Sequence, residues 1–152
     1  MKKTDIKFMK EALEEAGKSK NDVPVGAVLV YNDEIIVKAH NRKEIDNDAT
    51  SHAEIILIRE ACAKFKNYRL TDTVLYVTLE PCPMCAAAIL YSRIPKIVFG
   101  AYDSLYGAFG SVINMCDLIK FNSEITGGIL EKDCSQILKN FFKNKRNTTK
   151  DR

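Results

Sequence analysis

Hydrophobic positions near the start of the chain follow the spacing of an amphipathic helix. This helix is predicted over residues ~4–17, and its apolar positions are Ile6, Met9, Leu13 and Ala16. Two apolar runs, 25–31 and 34–40, then flank Asn32-Asp33, which is a hairpin signature. The first part of the chain therefore predicts a helix followed by two antiparallel strands.

From residue 52 onward, helical and strand patterns alternate, which is typical of an α/β fold. The predicted elements are a helix 52–66, a strand 73–79, a helix 82–92, a strand 96–101, a short helix, a strand near 124–130 and a helix from about 133 to 146. The alternation predicts that strands 73–79 and 96–101 pair in parallel. Because 152 residues is a usual size for one domain, we predict a single domain over 1–152.

Positive charge is concentrated at the end of the chain. The formal net charge is +3, but the last fourteen residues alone carry +5, so the rest of the chain carries −2. A basic C-terminal helix and tail from about residue 139 indicates an anionic partner, although a solubilising chain end explains the charge equally well.

The composition also bears on location and on the state of the cysteines. We find neither an N-terminal secretory pattern nor an apolar run near the ~20 residues of a membrane span, so we expect a soluble, cytoplasmic protein with no membrane contact. The five unevenly spaced cysteines fit poorly with a disulfide-stapled secreted fold. Reduced thiols or metal ligands are the better interpretation.

The strongest chemical signal is His52-Ala-Glu54 followed by Pro81-Cys82-Pro83-Met-Cys85. Imidazole and thiolate ligands suit zinc, although Cys-x-x-Cys alone could equally be a redox pair or chance. Pro83 is suited to the first turn of a helix, which places Cys82 at the cap and Cys85 one turn further on. We therefore predict that His52, Cys82 and Cys85 bind Zn²⁺ at two helix starts.

The number of protein ligands distinguishes a structural zinc, with four, from a catalytic zinc, with three and an open position. Cys62 is ten residues along the helix from His52, which is about 15 Å and too far to share one ion. His40, Cys116 and Cys134 stay possible on geometry, but each is more often a packed or surface residue. We expect three protein ligands.

Glu54 has two interpretations. Ser51-His-Ala-Glu54 is a capping-box pattern, in which the glutamate closes the start of the helix. Glu54 also shares a helix face with Leu57, Ile58 and Ala61, so burial would raise its proton affinity. Beside a metal-bound water, we expect Glu54 to be a catalytic proton carrier.

The motif resembles the H-x-E and P-C-x-x-C signature of the zinc-dependent cytidine deaminase-like superfamily. Further segments are similar to the bacterial tRNA-specific adenosine deaminases. These segments are Val23–Val28, His40-Asn41-Arg42, Thr50–Glu54, Tyr76–Cys85, Ser92-Arg-Ile94, Gly107–Ser111 and Phe141–Lys143. The resemblance spans residues 23 to 146, and its zinc signature identifies only the superfamily.

This resemblance implies a fold, a reaction and a set of RNA contacts. The fold is a three-layer α/β/α arrangement around a mixed five-stranded sheet, and the reaction converts adenosine to inosine at the wobble base of a tRNA anticodon. Zinc would activate water while Glu54 moves protons. Asn41 and Ala53 would bind the flipped base, and Asp103 would lie beside neighbouring nucleotides of the anticodon loop. The plainer interpretations are a turn asparagine and, for Asp103, a helix cap.

Two further expectations concern partners. We expect Lys143, Lys145 and Arg146 to contact phosphates of the tRNA anticodon stem-loop. We expect a homodimer because the segment Ile89–Ile94 is apolar on more sides than one small sheet can cover, and because the resembled family pairs through this region.

Departures from the family pattern fall in the RNA-contacting parts. Ala49 replaces a usual proline, the loop around Leu105 lacks a common lysine, and Lys120-Phe121 stands where Asn-His is common. Tyr102, Tyr106 and Phe109 could supply stacking surfaces for unstacked bases, although aromatic residues here are as often core or dimer contacts. Two alternatives stay open: a deaminase of free guanine, cytosine or a nucleoside, and a non-catalytic structural zinc module that binds nucleic acid.

Overall fold

The computed structural model describes the backbone of residues 2–150 and the side chains of residues 2–147. The helices are α1 (Lys3–Ala16), α2 (Lys43–Asp46), α3 (Ala53–Phe65), α4 (Pro83–Tyr91), α5 (Met115–Leu118) and α6 (Glu131–Lys150). The strands are β1 (Gly26–Tyr31), β2 (Glu34–His40), β3 (Thr73–Leu79), β4 (Lys96–Ala101) and β5 (Glu124–Thr126). Both the hairpin and the later α/β alternation are confirmed.

The five strands form one mixed sheet in the order β2-β1-β3-β4-β5. β1 is antiparallel to both β2 and β3, whereas β3, β4 and β5 are parallel to one another. Asn32 and Asp33 turn the hairpin with φ of 51° and 61°, the left-handed conformation of a type I′ turn. The predicted parallel pairing of residues 73–79 with 96–101 is confirmed.

Helices cover both faces of the sheet, so the fold has three layers. Alternate residues of β1 point to opposite faces: Leu29 packs with Leu57 of α3 and Ile89 of α4, whereas Val28 packs with Met9 of α1. α6 contacts the same face as α1 through Cys134. The predicted α/β/α architecture with five strands is confirmed.

Two predicted boundaries are wrong. β5 ends at Thr126 instead of near residue 130, because Gly128 and Leu130 have φ of 85° and 54° and break the extended backbone. α6 begins at Glu131 and continues to Lys150, so the segment after residue 146 is helical instead of a tail. Within residues 2–150, no helix is both long and apolar enough to cross a membrane.

Candidate active site

A cavity of ≈ 570 Å³ opens where β3 and β4 end. The carboxyl ends of parallel strands are the usual place for an α/β active site. The starts of α3 and α4 contribute His52, Glu54 and Cys82, and the segment after β4 contributes residues 102–106. Two aliphatic and aromatic side chains of α6, Leu138 and Phe142, complete the wall. Together with residues 23–25 and 41–43, these side chains come from six segments of the chain that the topology brings to one opening.

His52, Cys82 and Cys85 converge as the sequence predicts. His52 and Cys82 are the N-cap residues of α3 and α4, and Pro83 occupies the first turn of α4. The His52 Nδ1 atom lies 3.5 Å from Cys85 Sγ and 3.7 Å from Cys82 Sγ, and all three atoms lie within 4.8 Å of one another. Zn–N bonds of ~2.0 Å and Zn–S bonds of ~2.3 Å at a tetrahedral angle give an N–S separation of about 3.5 Å. The three side chains therefore fit one tetrahedral zinc ion.

The electrostatics of these ligands favour metal binding. A hydrogen bond from the Cys85 thiol lowers the pKa of Cys82 to about 4, and the same bond raises the pKa of Cys85. The hydrogen bond with Cys82 raises the pKa of His52. One thiolate thus forms readily at a helix start, where the helix dipole also favours negative charge.

The described residues supply three metal ligands at this position and not four. Across residues 2–150, the metal-ligating side chains that cluster are His52, Cys82 and Cys85. His40 instead lies with its Nδ1 atom 3.3 Å from an oxygen of Glu15. The other three cysteines, Cys62, Cys116 and Cys134, are free and lie outside the cluster. This leaves a fourth coordination position for a non-protein ligand, as in catalytic zinc sites.

Glu54 lies in the cavity wall and is only 4 % exposed. The capping-box interpretation is wrong, because α3 begins at Ala53 with His52 as its N-cap, and the Ser51 hydroxyl donates to Asp46 instead. Leu57 packs on the same face in the core. Burial raises the pKa of Glu54 to about 7. A carboxyl group with that pKa can both accept and donate a proton near neutral pH.

Asn41 connects two parts of the cavity. Its side-chain Nδ2 donates to the Val23 carbonyl at 2.9 Å, and its Oδ1 accepts from the Ala53 backbone N–H at 2.9 Å. One amide N–H and one lone pair of Asn41 are still available to a ligand. The Ala53 side chain is fully buried, so this residue holds Asn41 through its backbone.

The loop after β4 contains Asp103 and the three aromatic residues for which the sequence suggests RNA contacts. The Asp103 carboxylate accepts from the backbone N–H groups of Leu105 and Tyr106 at 2.9 and 3.1 Å, so it stabilises the loop while lining the cavity. Tyr102 and Tyr106 are exposed at the cavity, as stacking surfaces require. Phe109 follows the core alternative instead, because its side chain is 7 % exposed and packs in the core.

The basic residues of α6 lie close to the cavity. Phe142 lines it, and Lys145 and Arg146 follow at i+3 and i+4 on the same helix face, about 4.5 and 6 Å along the axis. Lys143 neighbours Phe142, and all three cationic residues are exposed. Arg152, which the sequence also places in the basic end, lies outside the described residues.

Sequence reasoning missed Lys43, Glu80 and Phe142, all of which line the cavity. Lys43 begins α2, a four-residue helix without a hydrophobic pattern to reveal it. Glu80 lies in the segment Tyr76–Cys85, and the signal that points to it is its position at the end of a buried strand. Phe142 stands out in the sequence only as part of a family motif.

Known proteins resemble this chain over nearly all of its length. The family model of the MafB19-like deaminases matches residues 1–146. A tRNA-specific adenosine deaminase of Bacillus subtilis (strain 168) is 46% identical over 150 residues, which covers 96% of this chain and 93% of that protein.

Solved structures agree with this relationship. A structure from studies of A-to-I editing by tRNA:A34 deaminases has a TM-score of 0.84 and 40% identity, covering 87% of this chain and 99% of that one. A guanine deaminase from Nitrosomonas europaea has a TM-score of 0.78 at 21% identity over 90% of this chain and 83% of its own, a likeness of fold alone. The chain therefore belongs to the MafB19-like deaminase family and, within it, to the tRNA-specific adenosine deaminases.

Proposed function

We propose that this protein catalyses the zinc-dependent hydrolytic deamination of adenosine to inosine at the wobble position of a tRNA anticodon. The observation that carries the proposal is the cluster of His52, Cys82 and Cys85 beside the buried Glu54 in one cavity. The tRNA-specific adenosine deaminases among its relatives support the choice of substrate. We also propose a single domain over residues 1–152, because all five strands form one sheet, and a cytoplasmic location, where a tRNA-modifying enzyme would meet its substrate.

His52, Cys82 and Cys85 would hold zinc through Nδ1 and the two sulfur atoms, whose separations suit tetrahedral coordination. When bound, zinc acts as a Lewis acid that makes water a nucleophile near pH 7. Two thiolates and a neutral imidazole would cancel the charge of the ion, which suits a neutral base as substrate.

Glu54 would carry the protons of the reaction. It accepts a proton from the attacking water while the water oxygen bonds to C6 of adenine. It delivers this proton to the ring N1, then accepts the second proton from the hydroxyl now bonded to C6 and passes it to the departing amine, so that ammonia leaves and inosine is formed. The pKa of about 7 that burial gives Glu54 matches this double role.

Asn41 would fix the base over Glu54, and Ala53 would support Asn41 through its backbone N–H. Asn41 lies in the cavity wall with one amide N–H available, and its bonds to Val23 and Ala53 hold the amide in a single orientation. Asp103 shapes the loop that would meet the neighbouring nucleotides. These residues position the substrate and leave the proton transfers to Glu54.

The RNA would follow the basic face of α6. Lys143, Lys145 and Arg146 are exposed within about 6 Å, along the helix axis, of the cavity residue Phe142. Lys43 adds a further cation to the lining of the cavity. An anticodon stem could contact these side chains through its phosphates while the flipped base enters the cavity.

A second copy of the chain would cover the outer face of α4. Tyr91 and Met84 of this helix are 59% and 36% exposed. Val112, Ile113 and Leu118, in and beside α5, are also exposed, and α5 packs against α4. We expect a homodimer through this apolar face, and light scattering at micromolar concentration that gave a monomer mass would contradict it. Tyr91→Glu should yield monomers, whereas Tyr68→Glu, at an exposed tyrosine elsewhere, should not.

Mass spectrometry of a tRNA with adenosine at the wobble position tests the proposed function. We expect inosine at that position after incubation with the zinc-loaded protein, and none with Glu54→Gln or with a tRNA that has another base there. A panel of free guanine, cytosine and nucleosides separates the alternative deaminases, because faster turnover of a free base than of tRNA would favour them. Absence of turnover on every substrate would favour a structural zinc module.

A further inference from the structure

Glu80 is a buried carboxylate of the cavity wall that the proposed chemistry does not use. It follows β3 directly, two residues before Cys82, and its side chain is 2% exposed. Burial of a carboxylate is unfavourable unless hydrogen bonds compensate for the lost water. The partners of Glu80 therefore indicate its role.

Four donors surround the two oxygens of Glu80. Oε1 accepts from the Asp103 backbone N–H at 3.2 Å and from the Ser111 hydroxyl. Oε2 accepts from the backbone N–H groups of Phe109 and Ser111, each at 3.1 Å. A carboxylate has about four lone-pair positions, so all of them are occupied. This argues against a second proton carrier beside Glu54 and in favour of a positioning role.

The donors come from both ends of one loop, residues 102–111. Asp103 begins this loop, and Phe109 and Ser111 end it. A side-chain carbon at Gly107 would lie 2.5 Å from the Glu80 carboxyl carbon, so the loop backbone packs directly on the carboxylate. The Ala108 N–H also donates to the Pro81 carbonyl at 2.9 Å. Glu80 thus joins the loop to the segment that carries Cys82.

The first part of this loop, residues 102–106, lines the cavity. Tyr102, Leu105 and Tyr106 are 53%, 74% and 65% exposed, whereas Glu54 and Cys85 are buried. The loop therefore borders the mouth of the cavity and not its floor. A base at the floor would meet the zinc ligands and Glu54, and unstacked nucleotides on either side of it would meet this loop.

We propose that Glu80 is a positioning residue that fixes loop 102–111 and so sets how the cavity discriminates the nucleotides flanking the target adenosine. This inference rests on the proposed function. Glu80→Gln keeps the size of the side chain but replaces one acceptor oxygen by an NH₂ donor. That donor would face N–H or O–H groups, so one end of the loop would lose its anchor.

The test is kcat/KM of the zinc-loaded enzyme on stem-loops that differ only in the nucleotides on either side of the target adenosine. We expect the wild type to prefer the stem-loop whose flanking nucleotides are those of its own tRNA substrate. In Glu80→Gln, kcat/KM on that stem-loop should fall by at most about a hundredfold, mainly through KM. The preference ratio, which is kcat/KM on that stem-loop divided by kcat/KM on a stem-loop with other flanking nucleotides, should approach one. Zinc content should not change. Ser111→Ala, which removes one of the four donors, should lower the ratio by a smaller factor.

Asp5→Asn is the matched control, because Asp5 is another buried carboxylate and accepts from the Tyr76 hydroxyl at 2.8 Å, outside the cavity. It should lower stability without changing the preference ratio. A wild-type ratio in Glu80→Gln, an equal loss in Asp5→Asn, or a wild-type enzyme without preference would each overturn the inference. If Glu80→Gln fails to fold, Ser111→Ala decides alone. Failure of the wild type on every stem-loop would instead contradict the proposed function.

Discussion

Replacement of Lys143, Lys145 and Arg146 by glutamine removes three positive charges from the α6 face beside the cavity. The three side chains are exposed and follow Phe142 within about 6 Å along the helix axis, so the stem of an RNA whose flipped base enters the cavity would pass them. Glutamine keeps the helix, because its helix propensity is close to that of lysine and arginine. The variant therefore isolates the contribution of charge to RNA affinity.

The expected magnitude follows from the number of phosphate contacts. Each contact contributes ~0.7 to 0.9 to the slope of log affinity against log salt, so three contacts flatten it by about 2.1 to 2.7. Over a fourfold rise in salt, the wild type should then lose about 20- to 40-fold more affinity than the variant. Because these contacts hold the ground state and the transition state alike, KM should rise more than kcat falls.

Fluorescence anisotropy of a labelled stem-loop at several salt concentrations measures this slope. The control replaces Lys3, Lys7 and Lys10, which are exposed on α1 and do not line the cavity, by glutamine. This control has the same net charge as the α6 variant, so any difference between them is local. Equal slopes for both variants would refute the proposed contact and leave only a general effect of charge.

The remaining predictions concern the metal, the proton carrier and the cavity wall. Cys82→Ala should purify without stoichiometric zinc, and elemental analysis that found a full equivalent would contradict the ligand assignment. Glu54→Gln should keep zinc but lose turnover by more than the ~10² to 10⁴ of ordinary acid–base catalysis, as single-turnover kinetics can measure. Asn41→Ala leaves the buried Ala53 N–H and the part-buried Val23 carbonyl without partners, so urea denaturation should show a loss of about 1 to 3 kcal/mol in the free energy of unfolding; an unchanged midpoint would show that both groups find other partners.

The elements that the sequence predicts best are those whose signals are local. β3 and β4 have the bounds that their sequence predicts, because their apolar runs are bounded by turn residues. Pro83 favours the first turn of a helix, and this preference alone predicts that Cys82 caps α4. The convergence of His52, Cys82 and Cys85 can therefore be predicted from residue type and spacing.

Apolarity alone is a poorer guide where it reflects burial and not strand pairing. Ile129 and Leu130 extend the apolar pattern of β5, and Ile129 is buried, yet the strand ends at Thr126. Gly128 has a left-handed φ, so the backbone turns there. The turned chain passes close to the ring of Tyr102. A hydrophobic pattern contains no record of such a close approach.

Phe109 and Glu80 show why the cavity wall is harder to predict than the metal site. Phe109 lies in a Gly-rich loop, where an exposed aromatic residue is expected, but its backbone N–H donates to Glu80 and its side chain enters the core. The partners of Glu80 are 23 to 31 residues away in sequence and are mainly backbone amides. Because every residue except proline has such an amide, these contacts leave no pattern of residue types.

The residues that depart from the family pattern lie in loops and turns and not at the helix starts that carry His52 and Cys82. Leu105 is 74% exposed at the mouth of the cavity, and Ala49 lies in an exposed turn before α3. Phe121, where histidine is common, packs under the Arg93 guanidinium at 3.4 Å. None of these positions is a zinc ligand or contacts Glu54 through a described hydrogen bond. Since the proposed zinc ligands and proton carrier lie at two helix starts and the proposed substrate contacts lie in the loops around them, we expect such substitutions to change which RNA binds and to leave the proposed zinc site intact.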